Sequence, residues 1–192
     1  MKKISSKSLP ALGLIEMGRL GEVAVRVVAA NLQTLIGIPV DVLKPLSVPR
    51  EAFQVHRQQY DAGIILKNLG RQSFIRHFRI LALTSVDLCN PILTYVFGQA
   101  EVGGKTALVS NYRLRGRDDG GVVPLDHYYE RLAKVSLHEV AHTLSLYHCD
   151  DEKCLMHVSS KPQDLDNIEI SFCRRCVFML HEFLRSTRSY GR

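Results

Sequence analysis

The sequence predicts a single α+β domain over residues 1–192, built on a twisted mixed sheet with an antiparallel edge strand. Three observations favour this class. Apolar residues recur at helical spacing through 20–36, a buried-strand pattern covers 79–86, and two further strand patterns flank the pair Gly103-Gly104. A length of 192 residues, of which 46% are hydrophobic, fits one ordinary globular domain.

The N-terminal half begins with a basic lead-in over residues 1–8, followed by a strand, a helix and a second strand. Gly37 is expected to end the helix, because glycine follows many helix C-termini. The run 63–66 has strand character but can also be read as part of a loop. The predicted elements are a strand over 12–17, a helix over 20–36, a short strand over 39–43 and a buried strand over 79–86.

The glycine pair predicts a hairpin between strands over 92–102 and 105–112. The stretch 113–123 is rich in glycine and aspartate, which predicts a surface loop. Pro124 suits the first turn of a long helix, since its missing N–H is not needed there.

Composition and charge limit the partners. The net charge is +6, but the basic residues are spread along the chain, so we expect no nucleic-acid partner. No run of about 18 apolar residues occurs, so we expect no membrane span. Glu16 and Arg19 interrupt the apolar stretch that a signal peptide needs, which favours a cytoplasmic location. We expect a monomer.

The run from His138 to His142 reads H-E-V-A-H and predicts a catalytic zinc site. Two histidines four residues apart face the same side of a helix and can share one ion, while Glu139 can contact a water bound to it. His148 is the candidate third ligand. A continuing helix would rotate it by about 240° away from the other two. The helix must therefore end near Ser145, and the chain must turn back.

A site of three neutral imidazoles leaves zinc an open position for a water, whose pKa falls to about 7. Glu139 would take a proton from this zinc-bound water, direct the water at a peptide carbonyl, and then protonate the leaving amine. The sequence thus predicts a zinc metallopeptidase that acts on a peptide or protein substrate. Histidines that merely pack near a core are the alternative, which three histidines at this spacing disfavour.

Four of the five cysteines predict a second, closed zinc site. Cys149 and Cys154 are five positions apart, and Cys173 and Cys176 are three apart. Four thiolates give the tetrahedral environment of structural zinc, and an odd cysteine count with this spacing indicates metal binding in a reducing compartment rather than disulfides.

Other residues are weaker candidates. Asp164 or Asp166 is expected to cap a last helix that carries the second cysteine pair. Cys89 is read as a buried thiol. His157 is read as a loop residue that faces solvent, with a place near the cleft as the alternative.

The string HEVAHTLSLYHC over 138–149, followed by Cys154-Leu155-Met156 and Cys173-Arg174-Arg175-Cys176, closely resembles the archaemetzincin family. The resemblance covers residues 138–176. It implies a zincin/metzincin-like fold with an active-site helix and a C-terminal helix. It implies two zinc ions per chain, with Met156 in a Met-turn beneath the first and Glu139 as general base. The implied ligands are His138, His142 and His148 for the catalytic zinc, and Cys149, Cys154, Cys173 and Cys176 for the structural zinc.

Two further expectations concern the substrate cleft and the link between the two sites. In zincins a peptide pairs with an edge strand of the sheet, and the segment 105–110 is expected to be that edge. His148 and Cys149 are neighbours, so the closed site is expected to position His148 and the segment around Met156.

One residue departs from the family pattern. Metzincins usually have glycine where this chain has Ser145, and a left-handed conformation costs serine roughly 1–2 kcal/mol. Either the turn is reshaped or the two metal sites offset that cost. The alternative function is therefore a non-proteolytic zinc protein that binds a peptide or protein partner. A nucleic-acid-binding zinc module ranks last, because it leaves the histidines unexplained.

Overall fold

The structure is a computed structural model that describes residues 10–117 and 119–190, so the lead-in predicted for residues 1–8 lies outside the described residues. A five-stranded sheet with helices on both faces forms its centre. The strands are β1 (Ala11–Met17), β2 (Val40–Val42), β3 (Phe53–Gln54), β4 (Gln59–Asp61), β5 (His77–Thr84), β6 (Leu88–Cys89), β7 (Gly98–Ala100) and β8 (Thr106–Ser110), and the helices are α1 (Glu22–Leu35), α2 (Ala62–Gly70), α3 (Leu125–Thr143), α4 (Asp164–Asn167) and α5 (Arg174–Tyr190).

The main sheet is mixed, as predicted. Its strand order is β2-β1-β5-β8-β7, in which the first four strands are parallel and β7 lies antiparallel to β8 at one edge. Strands β1 and β5 are apolar along most of their length, because a parallel strand inside a sheet is buried on both faces. A small second sheet has the order β3-β4-β6.

Helices α1 and α3 cover one face of the main sheet, and α2 covers the other. Successive side chains of a strand point to opposite faces, so Leu12 and Leu14 pack with α1 and α3, whereas Ile15 packs with α2. Helix α1 ends where predicted, with Gly37 in the left-handed region at φ 76°. In the described part of the chain, no helix is long and apolar enough to cross a membrane.

The run 63–66 lies inside α2, so both interpretations of it, as strand and as loop, are wrong. The carboxylate of Asp61 accepts a hydrogen bond of 3.1 Å from the amide of Ile64 and so caps the first turn. Ile65 and Leu69 then fall on one helical face and are buried against the sheet.

The predicted strand over 92–102 forms only at β7. Before it, the side chain of Asn90 accepts hydrogen bonds from the amides of Ile92 and Leu93, at 3.0 and 2.7 Å. This local turn competes with strand pairing. The hairpin itself is confirmed, since β7 and β8 are antiparallel neighbours.

The expected cap of the last helix is also wrong. Asp164 and Asp166 belong to the separate short helix α4. Helix α5 begins one residue after Cys173, whose carbonyl accepts a 2.9 Å hydrogen bond from the amide of Val177. Asp166 instead pairs with the buried guanidinium of Arg131 at 2.6 Å, which joins α4 to α3.

Candidate metal centre

Helix α3 presents His138 and His142 on one face, and their Nε2 atoms lie 3.0 Å apart. Each Nδ1 is 2.7–2.8 Å from a backbone carbonyl oxygen, that of Leu155 for His138 and that of Leu146 for His142. A carbonyl only accepts, so each Nδ1 carries the hydrogen and each Nε2 keeps a lone pair for a ligand. Burial lowers the pKa of His138 to about 3, which keeps that imidazole neutral.

A sharp backbone turn follows the helix. The amide of Ser145 donates to the carbonyl of His142 at 2.9 Å, and the amide of Leu146 donates to that of Ala141 at 3.1 Å. These two bonds form a Schellman motif, whose penultimate residue is left-handed. Ser145 occupies that position with φ 68°. The turn therefore keeps its left-handed residue although that residue is serine.

The turn brings His148 back to the other two histidines. Its ring centroid lies 5.3 Å from that of His138 and 4.9 Å from that of His142. One nitrogen from each of the three rings lies within 4.8 Å of the others. Zn–N bonds of 2.0–2.1 Å at tetrahedral angles separate two ligand nitrogens by about 3.3 Å. The observed separation of 3.0 Å between the first two rings fits a shared ion.

Glu139 lies beside this cluster and is 8% exposed. Gly98 of β7 faces it so closely that an added Cβ would lie 2.7 Å from Glu139 Cγ and 2.9 Å from its Oε1. Burial raises the pKa of the Glu139 carboxyl to about 8, and a nearby divalent cation would lower it again. The carboxyl is thus confined between the edge strand and the histidines.

The four predicted cysteines also come together, with all four sulfur atoms within 4.8 Å of one another. The Sγ atoms of Cys149 and Cys173 are 3.7 Å apart, close to the roughly 3.8 Å that Zn–S bonds of 2.3 Å give in a tetrahedron. Burial raises the pKa of Cys154 and Cys176, and a bound divalent cation would oppose that rise because it stabilises the thiolate form. Cys89 is buried elsewhere in the core, as predicted.

Backbone bonds connect the two clusters. The amide of Cys149 donates to the carbonyl of Met156 at 2.9 Å, and the carbonyl of Leu155 accepts from His138. Met156 itself is fully buried. The segment that follows Cys154 therefore contacts His138, while Cys149 directly follows His148.

A cavity of about 510 Å³ opens beside the histidines and Glu139. Strand β7 forms one wall, and the segment 157–160 lines the other side. The edge strand is thus β7 rather than the segment 105–110. That expectation is wrong because β7 pairs with the outer side of β8 and leaves it inside the sheet. The hydroxyl of Tyr95 donates to the carbonyl of Ser160 at 2.7 Å and joins the two sides.

Sequence reasoning missed two residues of this cavity and favoured the wrong place for a third. His157, predicted to face solvent, is half-buried and lines it, with Nδ1 3.2 Å from the carbonyl of Cys149. Lys134 lines it too, and its position four residues before His138 on α3 was an available signal. Gly98 carried no signal, because its role depends on the pairing of β7.

Comparison with known proteins gives a consistent result. A family model described as peptidase family M54 matches residues 21–182. The archaemetzincin of Methanopyrus kandleri is 39% identical over 142 residues, which cover 74% of this chain and 77% of that protein. The archaemetzincin of Haloarcula marismortui is 31% identical over 166 residues, covering 85% and 95%.

Solved structures agree with the sequence matches. The crystal structure of the Methanopyrus kandleri archaemetzincin superposes with a TM-score of 0.83 at 34% identity, covering 95% of this chain and 99% of that one. A zinc-dependent peptidase from Methanocorpusculum labreanum gives a TM-score of 0.78 at 27% identity, covering 88% and 99%.

Proposed function

The chain belongs to peptidase family M54, the archaemetzincins, and from this premise we propose that it is a zinc-dependent peptidase that uses Glu139 as its general base. One observation carries the proposal. The left-handed turn at Ser145 directs His148 towards the helical pair His138 and His142, beside a buried carboxyl and an open cavity.

The three histidines would hold the catalytic zinc. The hydrogen-bonded Nδ1 atoms of His138 and His142 leave their opposite ring nitrogens free to bind. When bound, zinc supplies Lewis-acid chemistry: it polarises the scissile carbonyl and lowers the pKa of water. Three histidines that line an open cavity match a catalytic zinc site, which would keep one position for water or substrate.

Glu139 would take the proton of the attacking water and later deliver it to the leaving amine. Its burial supports this role, because a carboxyl shielded from bulk water holds its proton in place during the reaction. The close approach of Gly98 restricts where this carboxyl can lie.

The substrate would be a peptide or an extended segment of a protein. Strand β7 ends the sheet beside the histidines, and its outer edge offers backbone groups for pairing with an added strand. Such pairing holds the scissile bond next to the metal without requiring particular side chains.

We also propose a structural zinc on the four cysteines, which makes two zinc ions per chain. The separation of 3.7 Å between the Sγ atoms of Cys149 and Cys173 and the burial of Cys154 and Cys176 support a closed site. Thiolate ligands must stay reduced, which favours the cytoplasm as the compartment. Residues 1–192 would form one peptidase domain that acts as a monomer.

The Glu139→Gln variant tests the central role. It should bind two zinc ions per chain, as the unmodified protein should, and lose at least about 100-fold in turnover of a mixed peptide library. Glu51→Gln, at an exposed position outside the cavity, is the matched control and should leave turnover unchanged.

Two outcomes would contradict the proposal. Unchanged turnover in Glu139→Gln would remove that residue from the mechanism. Peptide binding by the zinc-loaded protein without any turnover would instead support the non-proteolytic alternative. That alternative was suggested by Ser145, yet Ser145 adopts the left-handed conformation that the turn needs.

A further inference from the structure

The cavity beside the metal centre contains a buried lysine. Lys134 precedes His138 by one turn of α3 and lines the same cavity, although its side chain is only 3% exposed. Its Nζ donates to the carbonyl of Leu165 at 2.8 Å and pairs with Glu130 at 2.6 Å. An ammonium has three N–H donors, so the contacts found among the described residues occupy two of them.

The charge of this cavity is unusual. Among the described residues that line it, Lys134 and Glu139 carry the only formal charges, and Glu139 is assigned to the reaction. Glu130, the partner of the lysine, is not part of the lining and has a side chain 49% exposed to solvent. Because that carboxylate is half exposed, solvent weakens the ion pair, and a substrate carboxylate can compete with Glu130 for the ammonium.

Other parts of the cavity lining are suited to a side chain with an aliphatic stem and a polar end. Phe97, Val135 and Leu155 supply apolar walls. The hydroxyl of Ser159 is buried in the same lining with no hydrogen-bond partner. A buried polar group without a partner is costly, so this hydroxyl is a second donor available to a bound acceptor.

We propose that the cavity recognises the carboxylate of a glutamate side chain next to the scissile bond, with Lys134 as the specificity-determining residue. This inference rests on the proposed peptidase function and names its substrate class. Residues four apart on a helix are separated by about 6 Å along its axis. Glutamate reaches further from the backbone than aspartate by one methylene and better spans that distance from the metal site.

The kinetic test uses internally quenched peptides with amidated C-termini, so that no terminal carboxylate competes. The peptides differ at one residue, Glu, Gln, Leu or Lys, placed on either side of the scissile bond in two sets. At one of the two positions, the Glu peptide should exceed the Gln peptide at least about tenfold in kcat/KM. Lys134→Met, of similar length and without charge, should abolish that ratio.

A second variant acts in the opposite direction. Glu130→Gln removes the intramolecular partner of the ammonium at a half-exposed position, so it should increase the preference for Glu over Gln about threefold or more. Glu22→Gln breaks a comparable exposed i,i+4 ion pair, that with Arg26, and should leave the ratio unchanged. If Lys134→Met fails to fold, as judged by circular dichroism and zinc content, Glu130→Gln decides.

Binding separates this proposal from the proposed function. The same peptides are titrated against zinc-loaded Glu139→Gln protein by fluorescence anisotropy, which requires no turnover. A tenfold tighter Kd for the Glu peptide would support the lysine site even if no peptide were hydrolysed. Equal affinities for Glu and Gln, a preference for Leu, or no binding of any peptide would overturn it.

Discussion

The turn that brings the three histidines together depends on the conformation of one residue, Ser145. The Schellman motif requires a left-handed residue after the helix, and Ser145 supplies it at φ 68°. The Cβ of an L-residue is crowded in this region, so serine is tolerated there rather than preferred. The two hydrogen bonds of the motif and the burial of Leu146 hold the turn in place.

Ser145→Gly should therefore stabilise the protein. The substitution removes the left-handed penalty of about 1–2 kcal/mol and adds the entropic cost of glycine, about 0.5–1 kcal/mol. The free energy of unfolding should therefore rise by roughly 0.5–1 kcal/mol. Denaturant unfolding in excess zinc measures it. Ser47→Gly is the control, because Ser47 is exposed and not left-handed, and should give no gain. Destabilisation by Ser145→Gly would mean that the hydroxyl matters more than the backbone.

Gly98→Ala should reduce activity without loss of zinc. The new methyl group would lie 2.7 Å from both Glu139 Cγ and the carbonyl oxygen of Leu108, so the carboxyl or the strand must shift. A displacement near 1 Å can cost on the order of 100-fold in kcat. Gly70→Ala, which would meet no atom within 4 Å, is the control. Full activity in Gly98→Ala would show that Glu139 has freedom to move.

At the scale of elements, hydrophobic periodicity predicted the long helices and the central strands, because their pattern is local. It failed where one side chain reorganised the backbone. Asp61 caps a helix that starts in a β-branched run, and Asn90 closes a turn inside a predicted strand. That β7 rather than β8 forms the edge of the sheet could not be predicted, since the strand order depends on pairing between distant strands.

The ion pair between Arg131 and Asp166 joins α3 to α4, and Asp166→Asn should weaken it. Arg131 is buried with a side chain 2% exposed, so losing its charged partner should cost about 2 kcal/mol at pH 7. Chemical denaturation of both proteins measures the difference, with Glu51→Gln as the neutral control.

This contribution should depend on pH in a defined direction. The hydrogen bond from Arg131 lowers the pKa of Asp166 below its ordinary value in the folded protein. Its stabilising effect is therefore complete above the unfolded pKa of about 3.9 and is lost as the pH falls through the folded pKa. The difference between the two proteins should shrink below about pH 4. A difference that stays constant with pH would exclude the charge as its cause.

At the scale of the whole molecule, the motif residues were predictable because metal ligands need fixed spacing, and those seven residues do converge. The cavity was not predictable in this way. His157 and Lys134 reach it from a loop and a helix, and its opposite wall comes from β7. The spacing of candidate metal ligands can be read from a short stretch of sequence, whereas the cavity forms only when distant segments come together in the complete fold.

The two clusters should be energetically coupled. Replacing Cys173 and Cys176 together by serine should weaken zinc binding at the histidines by about 10- to 100-fold, because Cys149 and the segment at Leu155 would lose their anchor. Competition with a chromophoric chelator measures this affinity. Cys89→Ser, at a buried thiol outside the cluster, is the control. Unaltered histidine affinity in the double variant would contradict the coupling.

The hydrogen bonds that hold the end of α3 are distinct from the one that connects the two sides of the cavity. The carbonyl of His142 accepts from the amides of Ser145 and Gly103, and Arg79 donates to the carbonyl of Thr143 at 2.8 Å. These hydrogen bonds restrain the backbone at the C-terminal end of α3, beside the imidazoles. The segment 157–160, on the other side of the cavity, is connected to the β7 side by the hydrogen bond from the Tyr95 hydroxyl to the carbonyl of Ser160. Loss of that one bond would disconnect the two sides of the cavity there without breaking the hydrogen bonds that hold His138 and His142.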